Sequence, residues 1–297
     1  MFKTLACLLF IFSCTISKPL LTKERAEEIK KEVDWKVADP ETGVFKGYSK
    51  KDLKDMMKTI KPPIKRGNRN KVTQSRRYAL PSKFDGKTEW GKCIHTSTVQ
   101  GKCGGCWAFG IVNHLSDRFC LWGKDVMLSV QDLLECTTGN SCCEGGVASN
   151  AYYYLMDYGT VALSDKDYDL KCGTCRAPST TSSTRYRCVQ DSDWWSTDVT
   201  ETKREIYNNG PVMSIIDVYD DFPLYESGVY VRKSDVYLGV HSIEVLGWGV
   251  ENGVSYWQCK NSWGSNWGDS GFFKIKMGEC GINEYMNSCE PLIDDDE

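Results

Sequence analysis

Cys106 begins the segment of the chain that is best suited to nucleophilic chemistry. Gly104 and Gly105 precede it, and an apolar stretch with helical spacing continues to Leu121. The first turn of a helix favours negative charge, so a cysteine there is expected to have a lowered thiol pKa. The side-chain amide of Gln100 is expected to lie beside the backbone N–H of Cys106, giving two donors for a developing oxyanion. The segment therefore predicts a reactive thiolate at residue 106.

His241 is the candidate for the imidazole that such a thiolate needs. It lies in a strand-like run that ends at the turn Asn252-Gly253, a strong hairpin signal, and the returning strand reaches Asn261. Asn261 can accept the ring N–H and fix the tautomer, with Trp263 and Trp267 shielding that bond from water. A regular two-residue turn would not place the two residues opposite each other, so we expect a bulge or a longer loop. Nucleophile, base and orienting group are then all present.

Cys103 and Cys106 also allow two other interpretations. A redox pair of the C-x-x-C type lacks the strand–helix alternation that usually accompanies that motif. A zinc site would have to draw on His95, His114 and His241, with no second C-x-x-C at a suitable spacing. We therefore expect a structural Cys103, a reactive Cys106, no metal and no cofactor. His95 and His114 are expected to be satisfied core residues.

The elements that must position these groups fall into two parts of opposite charge. Residues 1–79 contain 19 Lys and Arg against 9 Asp and Glu, whereas residues 80–297 contain 18 against 31. Residues 18–79 lack cysteine and include a helical-looking segment from Ser49 to Thr59, which Ser49 can cap with Asp52 at the third helical position. Two differently solvated surfaces would explain the contrast. A pro-segment held partly by charge, and weakened as body carboxylates protonate at low pH, would also explain it.

Composition excludes several classes of protein. The 297 residues include 10 Trp, 15 Tyr and 10 Phe, which argues against disorder, and no internal repeat is visible. Past the N-terminus no apolar run approaches the roughly 18 residues of a membrane span, and no basic stripe indicates nucleic-acid binding. Residues 1–17, with Lys3 before the apolar stretch Leu5–Phe12, are typical of a signal peptide. We expect a monomer.

The cysteines indicate an oxidising compartment. There are 15, and removal of the signal peptide with Cys7 and Cys14 would leave an odd number. At least one thiol would then have no intramolecular partner. Together with the signal peptide, this predicts the secretory pathway, ending in a lysosome-like vacuole or outside the cell.

Four motifs make the chain resemble the papain-like cysteine proteases, and most closely the cathepsin B branch. His241 and Asn261 follow Cys106 by 135 and 155 residues, near the spacing that is typical of that family. The resemblance spans about residues 20 to 290 and is carried by the segments Gln100–Phe109, Cys143–Gly146, Val240–Gly249 and Lys260–Phe273.

This resemblance implies an α+β, papain-like two-domain fold. It would have a mainly helical half over about 80–190, a mainly β, barrel-like half over about 191–297, and a cleft between them. Residues 18–79 would be an inhibitory propeptide, and 80–297 the mature domain. Cys106 would be the nucleophile, His241 the general acid and base, Asn261 the residue that orients the ring, and Gln100 an oxyanion donor.

The resemblance also suggests substrate-binding positions and disulfides. Tyr285 would line the main specificity pocket where cathepsin B has an acidic residue, which favours a hydrophobic preference. The substrate-binding candidates are Gly104, Gly145, Gly146, Val240, Trp263 and Tyr285. The expected bridges are Cys93–Cys120, Cys103–Cys143, Cys136 with one of Cys172, Cys175 or Cys188, and Cys280–Cys289, with Cys259 a buried free thiol.

The last implication concerns the type of peptidase. Cathepsin B has an occluding loop whose paired histidines bind the substrate's C-terminal carboxylate, but the corresponding stretch, about Ala148 to Lys171, is short and has no histidine. We therefore expect an endopeptidase that is made as a zymogen and cuts polypeptide substrates. The alternatives are a catalytically inactive papain-like binding protein, suggested by Gly105 and Val240, and a thiol–disulfide oxidoreductase.

Overall fold

The computed structural model describes residues 19–62, 79–175 and 184–293. The signal peptide expected at 1–17, the basic stretch Lys65–Arg77 and the acidic end Asp294–Glu297 lie outside the described residues. Within the described ranges, no helix has the length and apolar character needed to cross a membrane.

The helices fall mainly in the first two thirds of the chain. The longest is the apolar helix that begins at Cys106. In chain order they are α1 Lys23–Lys30, α2 Lys50–Asp55, α3 Gly86–Glu89, α4 Cys106–Leu121, α5 Val130–Cys136, α6 Ala148–Asp157 and α7 Val199–Asn209.

The long strands all belong to the last third of the chain. They are accompanied by short strands from the leader and the helical half. In chain order they are β1 Lys36–Val37, β2 Thr59–Ile60, β3 Phe84–Asp85, β4 Gly146–Val147, β5 Trp194–Ser196, β6 Val212–Tyr219, β7 Tyr225–Ser227, β8 Val229–Tyr230, β9 Tyr237–Glu251, β10 Val254–Lys260, β11 Phe272–Lys276 and β12 Met286–Ser288.

The main sheet has the strand order β5-β12-β6-β9-β10-β11-β8, with β3 paired to β9. Two small pairs join the leader to the body, β1 with β7 and β2 with β4. Helices of the first half and a sheet of the second half thus form the α+β arrangement that the resemblance implies.

The β9–β10 hairpin turns at Asn252 and Gly253, which both have positive φ, 49° and 79°. The register shifts between Gln258 and Cys259, where the paired residue on β9 moves from Gly247 to Val245. The expected bulge is therefore present, and it changes the position at which the end of β10 faces β9.

Two hydrophobic cores lie on the two faces of this sheet. One surrounds α4, where Trp107, Ile111, Leu115 and Phe119 recur at helical spacing and are all buried. The other lies against the opposite face and includes leader side chains such as Trp35. The leader is thus part of a hydrophobic core as well as a partner in ion pairs.

Two expected elements have different bounds in the structure. Ser49 and Asp52 form the predicted capping box, but α2 ends at Asp55, and Thr59 belongs to a strand. The first part of the stretch that corresponds to the occluding loop is also regular, because α6 occupies Ala148–Asp157 with Ala151 buried. The leader helix ends early because its next residues lie extended in the cleft.

The disulfides agree with the expected pairs except at the C-terminal end. Cys93–Cys120 and Cys103–Cys143 are present, and Cys136 is bonded to Cys175. The expected Cys280–Cys289 pair is wrong, because Cys289 is bonded to Cys188. Cys142, which was not among the candidates, is bonded to Cys172. Among the described residues the disulfides are Cys93–Cys120, Cys103–Cys143, Cys136–Cys175, Cys142–Cys172 and Cys188–Cys289, and the free cysteines are Cys106, Cys259 and Cys280.

Candidate active site

Cys106 is the first residue of α4, and its side chain is fully buried. Its neighbour Gly105 has no side chain, and a Cβ added there would lie only 2.7 Å from Leu134 Cδ2. A side chain at residue 105 would therefore require Leu134 to move.

The thiol of Cys106 is predisposed to ionise. Burial disfavours the charged sulfur, but its interaction with the nearby His241 ring, with contributions from Thr59 and the backbone of Ser242, lowers the pKa of Cys106 to about 7. A thiol with such a pKa is substantially ionised near neutral pH.

His241 lies within β9, opposite Ile216 of β6, and is fully buried. Its Nε2 donates to Asn261 Oδ1 at 2.8 Å, and its ring stacks on Trp263 with 4.9 Å between ring centroids. Trp267 packs edge-on against Trp263. The bond fixes the ring orientation and leaves Nδ1 free for the side of Cys106.

Gln100 is buried directly beside this pair. Its Oε1 accepts from Ser262 Oγ at 2.7 Å, and its Nε2 donates to the carbonyl oxygens of Cys103 at 3.0 Å and Met56 at 2.9 Å. Tyr168 also donates to the Gln100 backbone carbonyl. These bonds fix the orientation of the Gln100 amide that is proposed as an oxyanion donor. In the full chain this amide donates to a carbonyl of the leader.

The leader strand β2 lies across the candidate nucleophile. Thr59 Oγ1 is 3.0 Å from Cys106 Sγ and 2.9 Å from Ser242 Oγ. The strand pairs in parallel with β4, and the Gly146 N–H donates to the Lys58 carbonyl at 3.3 Å. A side-chain hydroxyl of the leader thus lies within hydrogen-bond distance of the sulfur.

Glycines let the leader backbone approach on both sides of the cleft. Gly145 has a φ of +118°, and an added Cβ would lie 2.6 Å from the Lys58 carbonyl oxygen. Across the cleft, a Cβ at Gly239, where φ is +156°, would lie 2.4 Å from the Met57 carbonyl oxygen. At Gly104 an added Cβ would be 2.8 Å from the Lys58 side chain. Any side chain at these positions would displace the strand.

The remaining substrate-binding candidates also border this strand. The Val240 N–H donates to the Met57 carbonyl at 3.2 Å, and the Val240 carbonyl lies 3.8 Å from Cys106 Sγ. Tyr285, on the other side, has the Lys61 ammonium 5.8 Å from its ring centroid. The structure therefore places all the candidates from both halves around one cleft.

A buried charged cluster lies between α4 and the sheet. Lys260 Nζ is 2.5 Å from Asp117 Oδ2 and 2.9 Å from Glu244 Oε2, and all three side chains are almost fully buried. His95 Nδ1 donates to Asp117 at 2.7 Å. Lys260 directly precedes Asn261, so this cluster connects the nucleophile's helix to the strand that carries Asn261.

The environment sets the ionisation of this cluster. The hydrogen bond to Asp117 raises the pKa of His95 although burial opposes it. Burial opposes ionisation of Asp117 as well, yet its pKa is lowered by Lys260 and His95. Burial and the nearby Asp117 raise the pKa of Glu244 well above its usual value. The group therefore contains compensating charges.

The other core histidine is neutral. His114 Nδ1 donates to the Gly110 carbonyl within α4 at 2.9 Å, and burial with the charge of Arg118 lowers its pKa to about 3. Both histidines expected to be satisfied core residues have their hydrogen bonds in the structure. Neither lies in the cleft.

Three side chains at the site were not found from the sequence. Ser242 and Thr59 contact each other at the nucleophile, and Asp217 forms an ion pair with Lys61. Asp217 is the charged residue of the mainly apolar strand β6, and this was the one available signal for it. Thr59 had no signal, because its part of the leader reads as a continuation of α2.

Comparisons with known proteins give one family. A model described as "Papain family cysteine protease" matches residues 80–289. The chain is 37% identical over 236 residues to a gut-specific cysteine proteinase of Caenorhabditis elegans, covering 69% of this chain and 71% of that protein. It is 34% identical over 226 residues to cathepsin B of Dictyostelium discoideum, covering 69% and 73%.

Solved structures agree with these relatives. Procathepsin B S9 from Trypanosoma congolense matches with a TM-score of 0.82 and 26% identity, over 93% of this chain and all of that one. The similarity thus includes the leader as well as the body. The chain belongs to the papain family of cysteine proteases, in its cathepsin B-like branch.

Proposed function

We propose that the chain is the zymogen of a cysteine endopeptidase that works through Cys106, His241 and Asn261. The observation that carries the proposal is the arrangement of these groups: a lowered thiol pKa beside an imidazole that donates to Asn261 at 2.8 Å. A disulfide holds Cys103 to Cys143, so Cys103 is not available as a redox partner of Cys106. This supports hydrolysis over thiol–disulfide exchange.

The reaction we propose is acyl transfer in two steps. The Cys106 thiolate attacks the scissile carbonyl carbon, and the oxyanion receives hydrogen bonds from the Gln100 amide and the Cys106 backbone N–H. Protonated His241 gives its proton to the leaving amine as the C–N bond breaks. Neutral His241 then takes a proton from water, whose oxygen attacks the thioester and releases the acid and the thiolate.

The leader inhibits, on this proposal, by occupying the same groups without offering a bond to cut. The Met56 carbonyl takes the Gln100 amide, and the Thr59 hydroxyl lies at the sulfur, where a substrate would present a carbonyl carbon. The family match begins at residue 80, which supports a mature domain that begins near there and a propeptide over 18–79.

We infer endopeptidase activity from the lack of histidines in the stretch that corresponds to the occluding loop. The three histidines of the chain are at 95, 114 and 241, so the stretch from Ala148 to Lys171 contains none. A substrate's C-terminal carboxylate would find no imidazole pair there. We therefore expect cleavage inside long peptides.

The experiment uses internally quenched peptides with blocked C-termini at pH 5. The full chain is treated with an added protease to remove the leader from every variant, so that maturation does not depend on self-cleavage. Cys106→Ala should show no turnover, whereas Asn261→Ala should retain a reduced rate because the ring can still reach the sulfur. Cys259→Ala, which removes another buried free thiol, is the matched control and should remain active.

Turnover by purified Cys106→Ala equal to that of the wild type would refute the mechanism. Activity of the wild type restricted to peptides with free C-termini would instead refute the endopeptidase assignment alone.

A further inference from the structure

Lys61 of the leader lies in a pocket of the body that the mechanism does not use. Its Nζ is 2.7 Å from Asp217 Oδ2, and its ammonium is 5.8 Å from the centroid of the Tyr285 ring. The side chains of Lys61 and Asp217 are both only 26% exposed. Ile60, between Lys61 and Thr59, is 53% exposed, so alternate residues of this segment enter the cleft.

The pocket walls come from two strands and one turn of the body. Asp217 pairs with Val240 on β9 and shares its face of β6 with Ile215, which packs in the same core as Tyr285. Glu284, next to Tyr285, adds a second negative charge that acts on Lys61. An apolar wall with carboxylates near its mouth suits a long cationic side chain, whose stem packs while its charge is paired.

The order of contacts along the leader indicates whether this pocket would bind the acyl side or the leaving-amine side of a substrate. Met56 contacts Gln100, and Met57 contacts Val240, next to the imidazole that protonates the leaving amine. Lys61 lies at the other end of the leader strand, two residues beyond Thr59 at the sulfur. The acyl portion of a substrate would therefore extend towards Asp217.

From this geometry we infer that Asp217 is a specificity-determining residue, and that its pocket with Tyr285 binds a Lys or Arg side chain two residues before the scissile bond. The inference rests on the proposed function and names its substrate class. It replaces the hydrophobic preference expected from Tyr285 alone, because the acidic group comes from β6 and not from the Tyr285 position.

Discrimination against apolar residues has a physical cause. Among the described residues, Lys61 is the cation within ion-pair distance of Asp217, and it leaves with the leader. A leucine in the pocket would leave the Asp217 carboxylate partly desolvated and unpaired, whereas arginine or lysine would restore the ion pair.

The test compares three blocked fluorogenic peptides that differ only in having arginine, leucine or glutamate two residues before the scissile bond. The full chain is activated by leader removal, and active enzyme is counted by titration with a thiol-directed epoxide. Wild type should favour arginine in kcat/KM by about tenfold or more, the scale of a hydrogen bond to a charged group. Asp217→Asn should remove most of this preference, and Asp217→Lys should invert it towards a glutamate peptide.

Glu226→Gln is the matched control, because Glu226 is a body carboxylate whose leader partner, Lys36, is not on the cleft strand. It should leave the arginine preference unchanged. A wild-type preference for leucine, or an arginine preference that survives Asp217→Asn, would overturn the inference while the titrated enzyme still cuts peptides. Absence of both epoxide labelling and cleavage would overturn the proposed function, and the inference with it.

Discussion

Two sets of ion pairs serve opposite purposes in this molecule. The cluster of Asp117, Lys260 and Glu244 is buried between α4 and the sheet. The second set joins leader to body, and its members are partly or largely exposed to solvent, except for the buried carboxylate of Asp220. It comprises Arg25–Asp220, Lys36–Glu226, Lys58–Glu144, Lys61–Asp217 and Asp52–Lys102.

The difference lies in what removal of one partner leaves behind. In the buried cluster, a lost partner leaves a charge with no water to solvate it, so the arrangement is permanent. In the leader set, water can replace a lost partner at small cost at every pair except Arg25–Asp220, so these exposed pairs orient the leader without holding it strongly. In the zymogen that we propose, the positive leader and the negative body of the sequence form an interface that can dissociate.

Lys260→Met, in the buried cluster, should have the largest effect on stability. It leaves the buried Asp117 without its closest cation, and we expect a loss of about 3–5 kcal/mol in the free energy of unfolding. Urea unfolding of the full chain measures it, with Lys276→Met, on the exposed side of β11, as the matched control. A loss below about 1 kcal/mol would show that the cluster behaves like a surface pair.

His95→Gln tests whether the stability that the His95–Asp117 pair contributes depends on pH. Because Asp117 raises the folded-state pKa of His95, the protonated ring stabilises the fold below its usual pKa, and this stability is lost as pH rises through the raised pKa. The substitution should cost about 1–2 kcal/mol at pH 5 and much less at pH 9.

His114→Gln provides a control of opposite sign. Burial with the charge of Arg118 holds the pKa of His114 at about 3, so only the unfolded ring takes up a proton at pH 5. Its removal should therefore cost less at pH 5 than at pH 9. The same pH trend in both variants would contradict the assigned charges.

Lys58→Gln tests the dissociable set and should have the smallest effect. Its partner Glu144 is 76% exposed, so we expect less than about 1 kcal/mol in unfolding and at most about a fivefold faster epoxide labelling of Cys106 in the intact chain. Lys54→Gln, at an exposed position of α2, is the matched control. A change in labelling of a hundredfold would mean that this pair holds the leader almost alone.

Acid should not weaken all the leader pairs alike. The Lys102 ammonium and Ser49 lower the pKa of Asp52, so this pair contributes above the usual aspartate pKa and is lost only as pH falls through the lowered value. Release of the leader in mild acid would have to come from the other contacts.

Local patterns made much of the site predictable. The helix at Cys106, the hairpin at Asn252-Gly253 and its bulge follow from residue spacing, and His241 and Asn261 follow from them. The motif around Cys106 also predicted Gln100, although most of its contacts are with residues that are distant in the chain.

What could not be predicted depends on long-range packing. Thr59 continues a helical pattern but lies extended, because β4 and the glycines of the cleft bind its backbone. Cys188 pairs with Cys289 across 101 residues, which no spacing rule indicates. A role for Asp217 could not be predicted from the sequence, because it depends on the ion pair with Lys61 that only the fold brings about.

Labelling by a thiol-directed epoxide, located by mass spectrometry before and after leader removal, tests the central claim most directly. The account predicts that the label appears on Cys106, rises sharply once the leader is removed, and spares Cys259 and Cys280, whose thiol pKa values are raised mainly by burial. Equal labelling of Cys106 with the leader in place, or a label confined to another cysteine in an enzyme that still cuts peptides, would contradict it.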